Sequence, residues 1–176
     1  MIVANIEKKQ GGGFDKLREY LEGLSGQSVE VGYFAEQGAH PSTKNTQRWS
    51  FAQLMAYHEL YADENGTQLR PIFGDMVRKD SAKLRRGLLE LYKKQLRGVY
   101  KRNGASTPVH TLEGSGTLIA GLIRKRFGIR SLAKNMPSTI RKKGFNSPMI
   151  ETGELRDALS IKNSVTNIRK LHFKGL

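Results

Sequence analysis

The chain has 176 residues, with 30 Lys and Arg against 16 Asp and Glu, a formal net charge of +14 and no cysteine. That length suits one well-cored domain, and the missing thiols exclude disulfides, thiolate nucleophiles and zinc–thiolate sites. No run approaches the ~20 apolar residues of a bilayer span. No basic leader with an apolar core opens the chain, so a cytosolic origin and no membrane partner are expected.

The charge is unevenly spread. Residues 1–68 carry six basic and nine acidic groups, residues 69–102 eleven against three, and residues 118–145 eight against none. Such a field steers a polyanion or an acidic protein toward one part of the surface, whereas a merely solubilising surface mixes the signs.

Along the chain, the alternation of Ile2, Ala4 and Ile6 predicts a strand in residues 1–9, and Gly11, Gly12 and Gly13 a flexible turn. Phe14, Leu17, Leu21 and Leu24 fall at helical spacing and predict a short amphipathic helix closed by Gly26. Val29, Val31 and Tyr33 alternate as a strand. Residues 35–50 are polar and aperiodic and read as an exposed loop, long enough to suggest a contact role. Ser50 is the expected N-cap of a helix that starts at Phe51 and ends by Gly66, burying Phe51, Leu54, Met55 and either Tyr57 or Leu60.

Pro71 suits the first turn of a long helix, with Asp75 near its positive end. Phe73, Val77, Leu84, Leu88, Leu91, Leu96 and Val99 lie near one stripe of it, and about thirty residues make a rod of roughly 45 Å. The helix is expected to end near Asn103 and Gly104. Pro108, Gly114 and Gly116 then predict a loop over 103–117, with room for a short strand at 109–112. Leu118, Ile119, Leu122, Ile123 and Phe127 form a second apolar stripe, stopped by Gly128. Pro137 and Gly144 bracket a short helix capped from Asn135 or Ser138, and residues 145–150 form a turn. Thr152 is the expected cap of a last short helix through Leu159, and residues 159–173 return as one strand or a hairpin around Asn167. The class is α+β in one domain spanning 1–176: a small antiparallel or mixed sheet packed on one long basic helix, with additional short helices.

Catalysis finds little support. His40, His58, His110 and His172 have no His partner at four-residue spacing, and His58 and Glu59 diverge by ~100° on a helix. Glu151, Glu154 and Asp157 fit the positive end of a helix, and Ser106, Ser115 and Ser138 lie in no nucleophile elbow. The glycine clusters at 11–13 and 114–116 lack the Gly-Lys-Ser/Thr ending of a phosphate loop. No metal, cofactor or enzymatic activity is expected; a hydrolase using Glu151 to Asp157 with His58 would need one pocket to gather them. The basic segments could attract phosphate and bind nucleic acid non-specifically. Helix-turn-helix, finger and aromatic-platform signatures are missing, and Trp49, Phe51 and Arg48 alone make no stacking surface.

Four stretches carry a resemblance: VEVGYF at 29–34, FAQLMAYHELY at 51–61, LRPIFGDMV at 69–77 and PSTIRKKGFNSPMIETGELRDALS at 137–160. In this order they resemble the neck or tail-completion proteins of tailed bacteriophages, the virion-morphogenesis family, over about residues 29–162. His58 and Glu59 match that family's His-Glu pair, and Arg70 and Pro71 its Arg-Pro. Thr139, Ile140, Lys142 or Lys143, and Gly144 match the first half of its late motif; Pro148, Met149, Glu151, Thr152, Gly153, Leu155 and Arg156 match the second. Leu60 and Tyr61 stand where an aromatic and Gly are usual, and Glu151 where Asp is.

The resemblance implies a structural virion protein, made in the host cytoplasm, that forms a hexameric or dodecameric ring at the head-proximal end of the tail or in the neck. Its implied partners are copies of itself, tail terminator or tube proteins, head-completion or connector proteins, and DNA in passing. His58, Glu59, Arg70, Pro71, Thr139, Lys142, Lys143, Thr152, Gly153, Leu155 and Arg156 become candidates for subunit or partner contact, along with the loop at 35–50, the corner from His58 to Glu64 and the motif at 137–156. Arg78, Lys79, Arg85, Arg86, Lys93, Lys94, Arg97, Arg124, Lys125 and Arg126 become candidates for a basic lumen or docking face.

Overall fold

The helix at the centre of the fold starts where the sequence pattern predicts a loop. The computed structural model describes residues 12–39, 49–100, 106–129, 132–150, 153–164 and 169–170. Along them run α1 (Gly12–Leu24), β1 (Val29–Gly32), a 3-10 turn (Ala35–Gln37), α2 (Phe51–Leu60), α3 (Ile72–Tyr100), α4 (Pro108–Arg124), α5 (Pro137–Lys143), α6 (Glu154–Asp157), β2 (Ser160–Asn163) and β3 (Arg169–Lys170). The expected strand at 1–9 lies outside the described residues.

Thr107 caps α4 by accepting the N–H of His110 at 3.2 Å, and Pro108 occupies the first turn, where no N–H is required. The glycines that suggest a loop are points of close approach. A Cβ on Gly116 would meet Ile161 Cγ2 at 2.7 Å and Val29 Cγ2 at 2.8 Å, and one on Gly114 would meet Leu91 Cδ1 at 3.1 Å. The loop and short strand expected within 103–117 are therefore corrected, from Pro108 onward, to a helix pressed between the sheet and α3.

The sheet is antiparallel in the order β1–β2–β3. Val29 opposes Asn163 and Gly32 opposes Ser160, while Ser160 also opposes Lys170. Of the two forms expected for 159–173, the strand pair is the one observed. Both β1 and β2 lie on α4, α4 packs on α3, and α1 lies against α3 and α4. The class is α+β, and the long helix meets the sheet's layer through α4.

α1 begins at Gly12, so Gly12 and Gly13 are helical, contrary to the expected turn. Its buried residue is Tyr20, whose hydroxyl shares a 2.5 Å hydrogen bond with Thr111 Oγ1. A Cβ on Gly13 would lie 3.3 Å from Tyr100, and one on Gly23 2.8 Å from Pro108. The glycine side of α1 thus faces inward and leaves Phe14 and Leu21 of the expected apolar stripe exposed.

α2 carries the capping box that Ser50 promises, with Gln53 N–H donating to Ser50 Oγ at 3.1 Å and Ser50 N–H to Gln53 Oε1 at 2.9 Å. Met55 is buried, and Phe51 and Leu54 pack against the core. Neither Tyr57 nor Leu60 joins them: both are exposed, a correction to the sequence reading. In α3 the stripe likewise shifts. Ile72, Met76 and Val99 are buried, along with Asp75 and Asp80, which ion-pair with Lys79 and Arg126, whereas Val77 is exposed.

The main core gathers where α2, the start of α3, the end of α4 and residues 149–159 converge, around Met55, Ile72, Ile123, Phe127, Leu155 and Leu159. α5 has Met136 at its cap position without a side-chain bond, in place of Asn135 or Ser138, and ends at Gly144 with φ 80°. α6 has Gly153 at its cap position with φ 86° and stops at Asp157 instead of running on to Leu159. Thr152 lies outside the described residues.

Candidate interaction surfaces

The His-Glu and Arg-Pro pairs meet at the start of α3. Pro71 precedes the first helical residue and offers no side chain to cap it, so α3 opens with orphan N–H groups. Glu59, at the end of α2, supplies the missing acceptor: its carboxylate takes the N–H of Phe73 at 3.0 Å and of Gly74 at 2.7 Å. Beside it, His58 is held neutral, its pKa lowered to about 4 by burial and then by the positive charges of Arg70 and Lys143. Arg70 reaches the carbonyl of Lys134 and Oδ1 of Asn135 at 3.4 Å, and Lys143 donates to the carbonyl of Ile150 at 2.8 Å. Residues far apart in sequence thus form one corner, whose bonds tie α2, α3 and the 134–150 segment together.

The late motif divides between scaffold and surface. Leu155 is a core residue whose carbonyl accepts the hydroxyl of Tyr33 at 2.6 Å, and Gly153 is buried. Neither is open to a partner on this chain. Arg156 is partly exposed and pairs with Asp157 at 3.1 Å. Thr139, Lys142 and Lys143 line a shallow depression of ≈ 240 Å³ together with Ser138.

The basic residues divide in the same way. Arg126 is almost covered and forms an ion pair with Asp80, which also receives Lys83 at 3.1 Å. Arg126, and then Lys83, hold the Asp80 carboxyl below its usual range. Arg124 is half-buried and donates to the carbonyls of Asp157 at 3.2 Å and Leu159 at 3.4 Å. These two arginines brace α4 against α3 and α6, and Lys125 between them is exposed. On α3, Arg78 and Lys79 pair with buried Asp75, and Lys93 with Glu90. Arg85, Arg86, Lys94 and Arg97 are exposed. Their positions on α3 turn most of this charge outward, along with Leu89 and Tyr100, which are 53% and 57% exposed.

A third surface overlaps the expected contact corner from His58 to Glu64 and extends from it along α2 to Trp49. Trp49, Gln53, Tyr57, Leu60 and Tyr61 line an open cleft of ≈ 680 Å³ on the outer side of α2. Tyr57 stacks on Tyr61 with ring centroids 5.4 Å apart and meets Trp49 edge-on at 5.5 Å. Phe51, grouped with Trp49 by sequence, instead turns inward and stacks on Tyr33 at 6.5 Å. The available signal was the four-residue spacing of Tyr57 and Tyr61, which places two aromatic rings on one helical face.

Among the described residues, no group of three His, Asp or Glu is placed to hold a metal ion, and no helix is long and apolar enough to cross a membrane. The charges acting on His58 are basic, and Asp157 pairs with Arg156. No family model, curated protein or solved structure matches the chain.

Proposed function

We propose that this chain is a structural protein of a tailed-phage virion, completing the tail or forming a ring at the head–tail interface that joins the two around a passage for DNA. The observation that carries this reading is α2. Its inner face, with Phe51, Leu54 and Met55, closes the core, while its outer face leaves Tyr57, Leu60 and Tyr61 at 47%, 72% and 47% exposure. A helix apolar on all sides is normally covered on all sides, and a large uncovered apolar face marks a site of association. The ordered motifs between residues 29 and 160 favour a tail-completion assembly over other kinds. The outward basic side of α3 supplies positive charge for an acidic neighbouring ring or for passing DNA.

Negative-stain imaging of particles assembled without this chain tests the proposal. Filled heads separated from tails, or tails with unfinished ends, are expected; normal tails on filled heads overturn it.

A second reading, a basic nucleic-acid-binding or packaging accessory protein, is favoured by Arg85, Arg86, Lys94 and Arg97, which are exposed and make no ion pair among the described residues. It predicts binding of the isolated chain to duplex DNA that weakens steeply with salt, with a logarithmic slope of about −0.9 for each phosphate contacted. Weak or absent binding at physiological salt favours the structural reading.

A further inference from the structure

The two exposed faces described above match each other. The cleft on α2 is aromatic and apolar, and Leu60 projects from it with 72% of its surface exposed. From Trp49 to Gln68 the chain carries Glu59, Asp63 and Glu64 and no Lys or Arg. Glu59 is engaged at the start of α3, but Asp63 and Glu64 are exposed in the turn that continues from the cleft's wall at Ala62. The outer side of α3 has the opposite character. Ser81, Ala82, Arg85, Arg86 and Leu89 line an open depression of ≈ 400 Å³ that combines small, apolar and guanidinium side chains.

We propose that the α2 cleft of one copy of this chain docks on the outer face of α3 of a second copy. The inference rests on the assembly function above and names the two faces that meet. Leu60 fits the depression over Ala82, where the small side chain leaves room for it. Arg85 and Arg86 can lie flat on the rings of Tyr57 and Tyr61, a stacking that guanidinium favours over ammonium. Asp63 and Glu64 add attraction of the right sign, which orients the approach. Tyr, Trp and Arg are also the residues that dominate binding in protein interfaces.

No residue lines both faces. Each copy can then offer its cleft to one neighbour and its α3 face to another, a head-to-tail contact that closes as a ring or continues as a filament. A two-fold dimer that buried cleft against cleft would oppose acidic turn to acidic turn, and one that used the cleft–α3 contact would have to make it twice between the same two copies.

Light scattering with size-exclusion chromatography on the full chain, over a range of concentrations, tests this. Leu60→Asp disables the cleft and Leu89→Asp disables the α3 face. Both side chains are exposed, and circular dichroism verifies that each variant keeps its helices. Each variant alone is expected to lose higher assembly, with association weakened about tenfold or more. Mixing the two restores one intact contact, so a one-to-one heterodimer and nothing larger is expected. Wild-type chain that stays monomeric to about 100 μM overturns the docking, since a contact that weak could not build an assembly. So does assembly that persists in both variants, and so does loss in Leu60→Asp alone, which would place cleft against cleft. Any of these results leaves the imaging test of a virion role standing, and normal particles in that test leave the measured self-association standing.

Discussion

The carboxylate of Glu59 receives the backbone N–H of Gly74 at 2.7 Å, so the end of one helix caps the beginning of the next. Glycine at 74 leaves this carboxylate room, since a Cβ there would lie 3.2 Å from Glu59 Oε1 and the side chain would have to shift by a few tenths of an ångström. Glu59→Ala removes a charged acceptor from two N–H groups at a helix start. It is expected to cost about 1–2 kcal/mol, with Glu59→Gln losing less because it keeps an acceptor oxygen. Chemical denaturation of the two variants measures the difference.

Two glycines of α4 respond in opposite directions to the same substitution. Gly116→Ala drives a methyl group into Ile161 and Val29 at 2.7–2.8 Å and is expected to destabilise by about 1–3 kcal/mol. Gly121 has nothing within 4 Å of an added Cβ, so Gly121→Ala is expected to stabilise by roughly 0.4–1 kcal/mol through helix propensity and a less free unfolded chain. Thermal midpoints should move down for the first and up for the second.

Acid weakens the corner around His58. Its folded pKa, about 4, lies below the ordinary 6.5, because burial and then Arg70 and Lys143 disfavour the charged form. The unfolded chain therefore binds more protons between those values, and stability rises with pH across that window. The contribution is complete above pH 6.5 and is lost as pH falls toward 4, amounting to roughly 2 kcal/mol by pH 5. Midpoints recorded from pH 7 to pH 5 should fall in wild type and fall less in His58→Gln.

Arg126 and Arg86 separate structure from surface charge. Arg126→Met leaves the covered carboxylate of Asp80 with Lys83 alone and is expected to lower the thermal midpoint clearly. Arg86→Met removes an exposed side chain that makes no ion pair among the described residues and should leave the midpoint within about a degree, consistent with a small surface effect. Binding to an anionic resin should show the reverse order.

Local chemistry made part of this molecule legible in advance. Ser50 announces α2, Pro71 announces α3, and the alternation of Val29 and Val31 announces β1, because caps, proline and period-two patterns act within a few residues. What stayed hidden depends on distant neighbours. Gly114 and Gly116 read as a loop because nothing nearby in sequence says that Leu91, Val29 and Ile161 need their space. Arg126 reads as surface charge because its partner, Asp80, is 46 residues away. Tyr57 or Leu60 reads as core because α2 is apolar on both sides, and periodicity cannot tell which side the chain itself covers.

The pairing of the sheet's edge strand with its middle strand has a consequence in time. Ser28 and Ser164 are 136 positions apart, yet the N–H of Ser28 reaches Ser164 Oγ at 3.0 Å. While the polypeptide is still being made, β1 waits for a partner that emerges more than a hundred residues later, and the glycine side of α4 stays bare until it arrives. Closure over so long a stretch is slow and entropically expensive. The nascent segment is thus exposed to premature association from the synthesis of β1 until that of β2, and the sheet cannot start to form before β2 emerges.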